Sequence, residues 1–127
     1  MGQSGSIDAT LTPLASTTAV KPGERVKLAL RVSLPEGLHM QSDRPRDRYT
    51  KPTVLWLDPA AVTVHELVFP TATDFKVEGQ PEPLSVFEHD VLIGIDAEVP
   101  KTSPSGSLTI PARLRYQACD DKFAISR

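Results

Sequence analysis

From Val26 to Leu34 every second residue is aliphatic: Val26, Leu28, Leu30, Val32 and Leu34, with Lys27, Arg31 and Ser33 among the residues between them. A helix would scatter these five groups around its circumference, whereas an extended strand gathers them on one face. The stretch predicts a half-buried strand. Lys21-Pro22-Gly23-Glu24 and Pro35-Glu36-Gly37 bound it with turn chemistry, proline fixing φ and glycine tolerating φ > 0. Twelve prolines and seven glycines cut the rest of the chain into similarly short pieces, which favours strands and turns over helices.

Taken in order, Ile7 to Leu14 is expected to form a first or edge strand. Leu38 to Lys51 is polar and arginine-rich and reads as a long solvated crossover. Val54-Leu55-Trp56-Leu57 is apolar on both faces and predicts a central strand buried on both sides. Asp58-Pro59-Ala60-Ala61 is a candidate single helical turn. Val62 to Phe69 reads as a strand, and Thr71 to Pro83 as a second long irregular stretch. Ser85–Glu88 and Val91–Val99 read as paired strands about a turn at His89-Asp90. A final strand places Leu108, Ile110, Ala112, Leu114 and Tyr116 on one face and Arg113, Arg115 and Gln117 on the other. Seven or eight strands, two long loops and no helix imply an all-β, immunoglobulin-like β-sandwich of two antiparallel sheets. Antibody-type framework residues are absent, since an intersheet disulfide needs two cysteines and this chain has one.

At 127 residues one domain is expected, spanning residues 7–127. Residues 1–6, Met-Gly-Gln-Ser-Gly-Ser, are small and polar. They read as a vector-derived leader, with any export signal left out. Arg127 follows Cys119 by eight residues, so a natural end and excision from a longer protein both fit. A net charge of −2 gives no electrostatic case for nucleic acid or anionic lipid. No apolar run approaches the roughly 20 residues that span a bilayer.

The single cysteine, Cys119, follows the last apolar alternation and precedes an acidic pair. If the final strand keeps its register, Cys119 falls on the face opposite Leu114 and Tyr116. A lone cysteine is usually a small, partly buried filler; the alternative is a redox thiol. Asp120 and Asp121 tend to raise its pKa and Lys122 to lower it, so the local charges oppose one another. His39, His65, His89, Met40 and Cys119 include soft metal donors, and His39-Met40 invites a copper reading. No pair has a recurrent ligand spacing, and neither a metal nor another cofactor is expected. Nothing local resembles a nucleophile elbow or an oxyanion loop. Arg44 to Arg48 is balanced by Asp43 and Asp47 and is expected to form surface salt bridges of small individual weight.

Tyr116-Gln117-Ala118-Cys119-Asp120-Asp121-Lys122-Phe123 resembles the signature of the N-terminal periplasmic domain of DsbD-type thiol:disulfide interchange proteins and of the related disulfide bond corrector domains. The likeness extends over Ile7 to Phe123. It includes Pro22-Gly23, Pro35-Glu36-Gly37-Leu38-His39 with Ser42, Asp47-Arg48-Tyr49, Pro52-Thr53 and Phe69-Pro70.

The resemblance implies an immunoglobulin-like sandwich in the bacterial periplasm, exported and joined to a membrane-embedded region in its parent protein. It also implies passage of reducing equivalents to thioredoxin-like domains and other periplasmic disulfide proteins through mixed disulfides. A cap loop would shield the redox pair. That loop is expected within Asp74 to Leu84, with Phe75 its aromatic, and Tyr116, Asp120, Asp121 and Phe123 would surround the site. The chain departs from the pattern at one place. The family run continues to a second cysteine, which attacks partner disulfides; here that position is Ala124, and Cys119 corresponds to the first cysteine. With Ala124 in place the chain cannot cycle between dithiol and disulfide, although Cys119 can still enter one mixed disulfide. Ala124 is either an altered position or a natural departure. The alternative function is a non-enzymatic immunoglobulin-like extracytoplasmic binding module, in which Cys119 is only a filler.

Overall fold

The computed structural model describes residues 10–15, 19–104, 106, 108–119 and 124–126. These form eleven strands and no helix: β1 (Thr10–Ala15), β2 (Arg25–Ser33), β3 (His39–Gln41), β4 (Val54–Leu57), β5 (Thr63–Val68), β6 (Thr73–Phe75), β7 (Leu84–Glu88), β8 (Asp90–Glu98), β9 (Ala112–Arg115), β10 (Gln117–Cys119) and β11 (Ala124–Ser126). One sheet runs β1-β2-β8-β5 and a second runs β11-β10-β3-β7-β6, with β4 and β9 forming a separate ribbon. Every pairing is antiparallel. The strand total exceeds the seven or eight expected because each long loop contains a short strand, β3 or β6, and two more, β10 and β11, follow β9.

The alternation in β2 does what its sequence requires. Val26 and Val32 are buried, Leu28 and Leu30 are half-buried, and the charged residues between face outwards. Its partner β8 buries Val91, Ile93, Ile95 and Ala97 on the same side. Against this face the second sheet places one cross-strand row, Ala118–Met40–Phe87, all buried in the common core. Burying side chains such as Met40 and Ile93 contributes about 1.5–3 kcal/mol each, so this contact between sheets holds the sandwich closed.

Five expectations are corrected. Ser85–Glu88 and Val91–Val99 do not pair with each other: β7 lies between β3 and β6, and β8 between β2 and β5. The chain crosses from one sheet to the other at His89, the one non-glycine residue with positive φ among the described residues, at 60°. Its carbonyl accepts a hydrogen bond from Leu34 N at 2.8 Å, which ties the crossing to the end of β2.

The Val54–Leu57 run is not a central strand. Leu55 and Leu57 are buried in the core, but Val54 and Trp56 are exposed, because only one face of β4 is covered. The Arg113 guanidinium lies 5.1 Å from the centre of the Trp56 ring and covers part of it.

The final strand breaks at Tyr116, with β9 pairing β4 and β10 pairing β3, although Leu114, Tyr116 and Ala118 all still pack against the core. Asp58 to Ala61 forms a hydrogen-bonded turn rather than a helix, with the Asp58 carboxylate accepting from Ala60 N at 2.9 Å.

The solvated crossover of Leu38 to Lys51 is the fifth correction. His39, Met40, Gln41 and Ser42 are all buried, because β3 is an inner strand of the second sheet. The segment after it is pinned rather than loose. Ser42 N donates to Ser85 O and Thr53 N to Ser42 O, both at 3.0 Å. Thr53 Oγ1 donates to Gln41 O at 2.6 Å. Asp47 accepts from Tyr49 N, Thr50 N and the Thr50 hydroxyl. The Thr50 hydroxyl, followed by the Thr50 amide, holds the Asp47 carboxyl below the usual carboxylate range. Arg25 does the same for Asp96 through paired hydrogen bonds between β2 and β8.

Candidate functional site

In a strand successive residues face opposite sides of the sheet. If Ala118, Met40 and Phe87 line the core, the next row belongs to the other face. That row is Glu88–His39–Cys119–Ala124, formed by direct pairing of β7 with β3, β3 with β10, and β10 with β11. Four adjacent strands thus line up an acid, an imidazole, the cysteine and the alanine.

His39 is buried despite facing away from the core, because the Phe75 side chain at the end of β6 covers it. The Phe75 ring stacks on the imidazole with centroids 3.7 Å apart and planes 16° from parallel. His39 Nε2 lies 2.9 Å from Glu88 Oε2, and Thr73 Oγ1 donates to Glu88 Oε1 at 3.1 Å. Thr73 and Phe75 are alternate residues of β6, so one short strand fixes the acid and covers the imidazole. Among the described residues His39 Nδ1 has no hydrogen-bond partner.

The loop between β6 and β7 is held at its base. Arg46 pairs with Asp74, and its Nη1 donates to Pro83 O at 2.6 Å. This is more than the minor surface pairing expected of Arg46, since Asp74 and Pro83 flank opposite ends of the same loop. On the far side of β10, Lys51 N donates to Gln117 Oε1 at 3.0 Å, anchoring the Leu38–Lys51 segment to the strand that carries Cys119.

The structure brings the sequence-derived residues together unevenly. Cys119, Ala124 and, through His39, Phe75 converge on one row. Tyr116 is half-buried at the break between β9 and β10 and packs against the core. Asp120, Asp121 and Phe123 lie outside the described residues. The copper pairing of His39 with Met40 is overturned: Met40 is fully buried in the core, on the face opposite His39. His65 is the bulged residue of β5 and meets Glu98 Oε1 at 2.9 Å, while His89 marks the crossing between sheets. No group of three or more metal-ligating side chains occurs among the described residues.

Sequence reasoning missed Glu88 and Thr73 and weighed His39 only as a metal ligand. The available signal was a histidine next to an apolar residue in a segment too short to show a period.

The family described as "Thiol:disulfide interchange protein DsbD, N-terminal" matches residues 10–124. Among solved structures, the chain is similar to the reduced N-terminal domain of DsbD from Neisseria meningitidis. Identity is 16% and the TM-score 0.51, with 100% of this chain and 90% of that one covered. That likeness supports the fold. No curated protein matches the chain. The family match spans nearly all the described residues: the chain belongs to the DsbD N-terminal domains, a family of periplasmic thiol:disulfide interchange domains.

Proposed function

We propose that residues 7–127 form a single-thiol interchange domain of the periplasm. In this reading Cys119 enters mixed disulfides with thioredoxin-like domains and other periplasmic disulfide proteins, and Ala124 occupies the place of the second redox cysteine. The observation that carries the reading is the register of the β10–β11 hairpin, in which Cys119 and Ala124 are direct partners. Directly opposed residues of an antiparallel pair have Cα atoms about 4.5–5.5 Å apart, within the roughly 4.4–6.8 Å that a disulfide spans. A second cysteine at 124 would meet the first without backbone movement.

The stack of Phe75 on His39 supports a cap role for the β6–β7 loop, since His39 is the cross-strand partner of Cys119. Partner docking would lift that loop. The Cys119 thiolate would then attack a partner disulfide, forming one S–S bond and expelling the partner's other sulfur as a thiolate. With alanine at 124 nothing in the chain resolves the product.

The test uses a thioredoxin-like domain with one cysteine activated as a mixed disulfide with thionitrobenzoate. The expected result is release of thionitrobenzoate and a stable one-to-one adduct, cleaved by dithiothreitol and absent in Cys119→Ser. No adduct, with Cys119 still open to iodoacetamide, would overturn the reading.

A further inference from the structure

Glu88, His39 and Cys119 occupy consecutive positions of one cross-strand row, in the order carboxylate, imidazole, thiol. A carboxylate only accepts hydrogen bonds, so in the neutral imidazole the 2.9 Å contact with Glu88 puts the proton on Nε2. The other nitrogen, Nδ1, is then a lone-pair acceptor. It is buried and has no hydrogen-bond partner among the described residues, and a buried acceptor left unpaired costs about 1–3 kcal/mol. Such a group invites a functional explanation. Directly opposed residues of an antiparallel pair are the ones positioned to interact, and in the β3–β10 register Cys119, the residue with a transferable proton, stands directly opposite His39.

We propose that His39, held in one tautomer by Glu88, is the group that takes the proton of the Cys119 thiol, with Phe75 keeping the imidazole dry until the cap lifts. This rests on the reading of Cys119 as the reacting thiol. The S–H proton moves to Nδ1, giving a thiolate and an imidazolium stabilised by Glu88. The thiolate attacks the partner disulfide, and the expelled partner thiolate recovers the proton from the imidazolium. Atoms and charge balance, and no further reagent is needed. Thr73 and Glu88 complete the relay, because the Thr73 hydroxyl fixes the carboxylate that fixes the ring.

The other charges around the row come from each neighbouring element. On β6 Asp74 is paired to Arg46, and the β6–β7 loop carries Lys76 and Glu78. Lys51 lies beside β10 through its backbone bond to Gln117. In the sequence Asp120, Asp121 and Lys122 follow Cys119 directly. Glu88 is distinguished from these by direct contact with the imidazole.

The experiment is the rate of Cys119 alkylation by iodoacetamide across pH, using the full chain with no protein partner. His39→Gln is expected to slow alkylation at neutral pH by about tenfold and to move the profile towards that of an ordinary thiol. Glu88→Gln should shift the profile in the same direction by less, with the fold confirmed by circular dichroism. If His39→Gln does not fold, the Glu88→Gln profile decides the matter. Unchanged profiles in the folded variants would overturn the proposal. A shifted profile without an adduct on the activated partner would instead count against the interchange reading and leave the proton transfer standing.

Discussion

The rings of Phe75 and His39 lie face to face 3.7 Å apart, and this stack joins the loop between β6 and β7 to the strand beside Cys119. Replacing Phe75 with alanine removes the cover without touching the row beneath. Phe75→Ala is expected to cost about 1–2 kcal/mol, less than a fully buried phenylalanine because the side chain is only partly buried. It should also raise the rate of Cys119 alkylation several-fold. Denaturant melts and alkylation kinetics on the same variant check both; equal alkylation rates would mean that Phe75 shields nothing.

Arg46 ties both ends of the same loop through Asp74 and the Pro83 carbonyl. The pair is partly exposed, so Arg46→Ala is expected to change global stability by no more than about 1 kcal/mol. The local effect should be larger. Hydrogen exchange at Gln80 N, which donates to Val77 O within the loop, is expected to accelerate while that of β8 is unchanged.

His89 sits at φ 60°, where a side chain costs about 1 kcal/mol or more relative to glycine. His89→Gly relieves that strain and loses some unfolded-state restriction in return. The net expectation is a gain of about 0.5 kcal/mol, seen as a small rise in Tm. His89→Val should lower Tm, since a β-branched residue tolerates this region least.

Arg25 lowers the pKa of Asp96, and Thr50 lowers that of Asp47. In that range the unfolded chain binds more protons than the folded one, so stability rises with pH. The contribution is complete above the ordinary aspartate value, roughly pH 4, and is lost as pH falls through the lowered folded values. Asp96→Asn and Asp47→Asn should each flatten the acid limb of a stability–pH curve and leave its shape above pH ~5 unchanged.

β2 was legible in the sequence because five alternating apolar residues sit between two strong turns. β3 was not: three residues cannot display a period, and His39-Met40-Gln41 is embedded in a polar, arginine-rich segment. The run from Ser85 to Val99 misled for a different reason. Two strands about a short turn look like a hairpin locally, and only the register with β2 and β3 shows the chain changing sheets at His89. Val54–Leu57 carried apolar residues on both faces, but only the face with Leu55 and Leu57 meets the core, leaving Val54 and Trp56 outside. At the site, the pairing of position 119 with 124 was implied by resemblance. The alignment of Glu88 with His39 and Cys119 depends on pairings between strands far apart in the chain, which residue order alone does not specify.

The pairing of Cys119 with Ala124 is tested most directly by the oxidised mass of Ala124→Cys. Air or diamide oxidation of the monomer is expected to remove two hydrogens and block alkylation at both positions. Reduced thioredoxin-like domains should then reopen the bond. A variant that stays a folded monomer with two free thiols under the same oxidant would contradict the opposition of residues 119 and 124, and with it the account of this hairpin as a redox site.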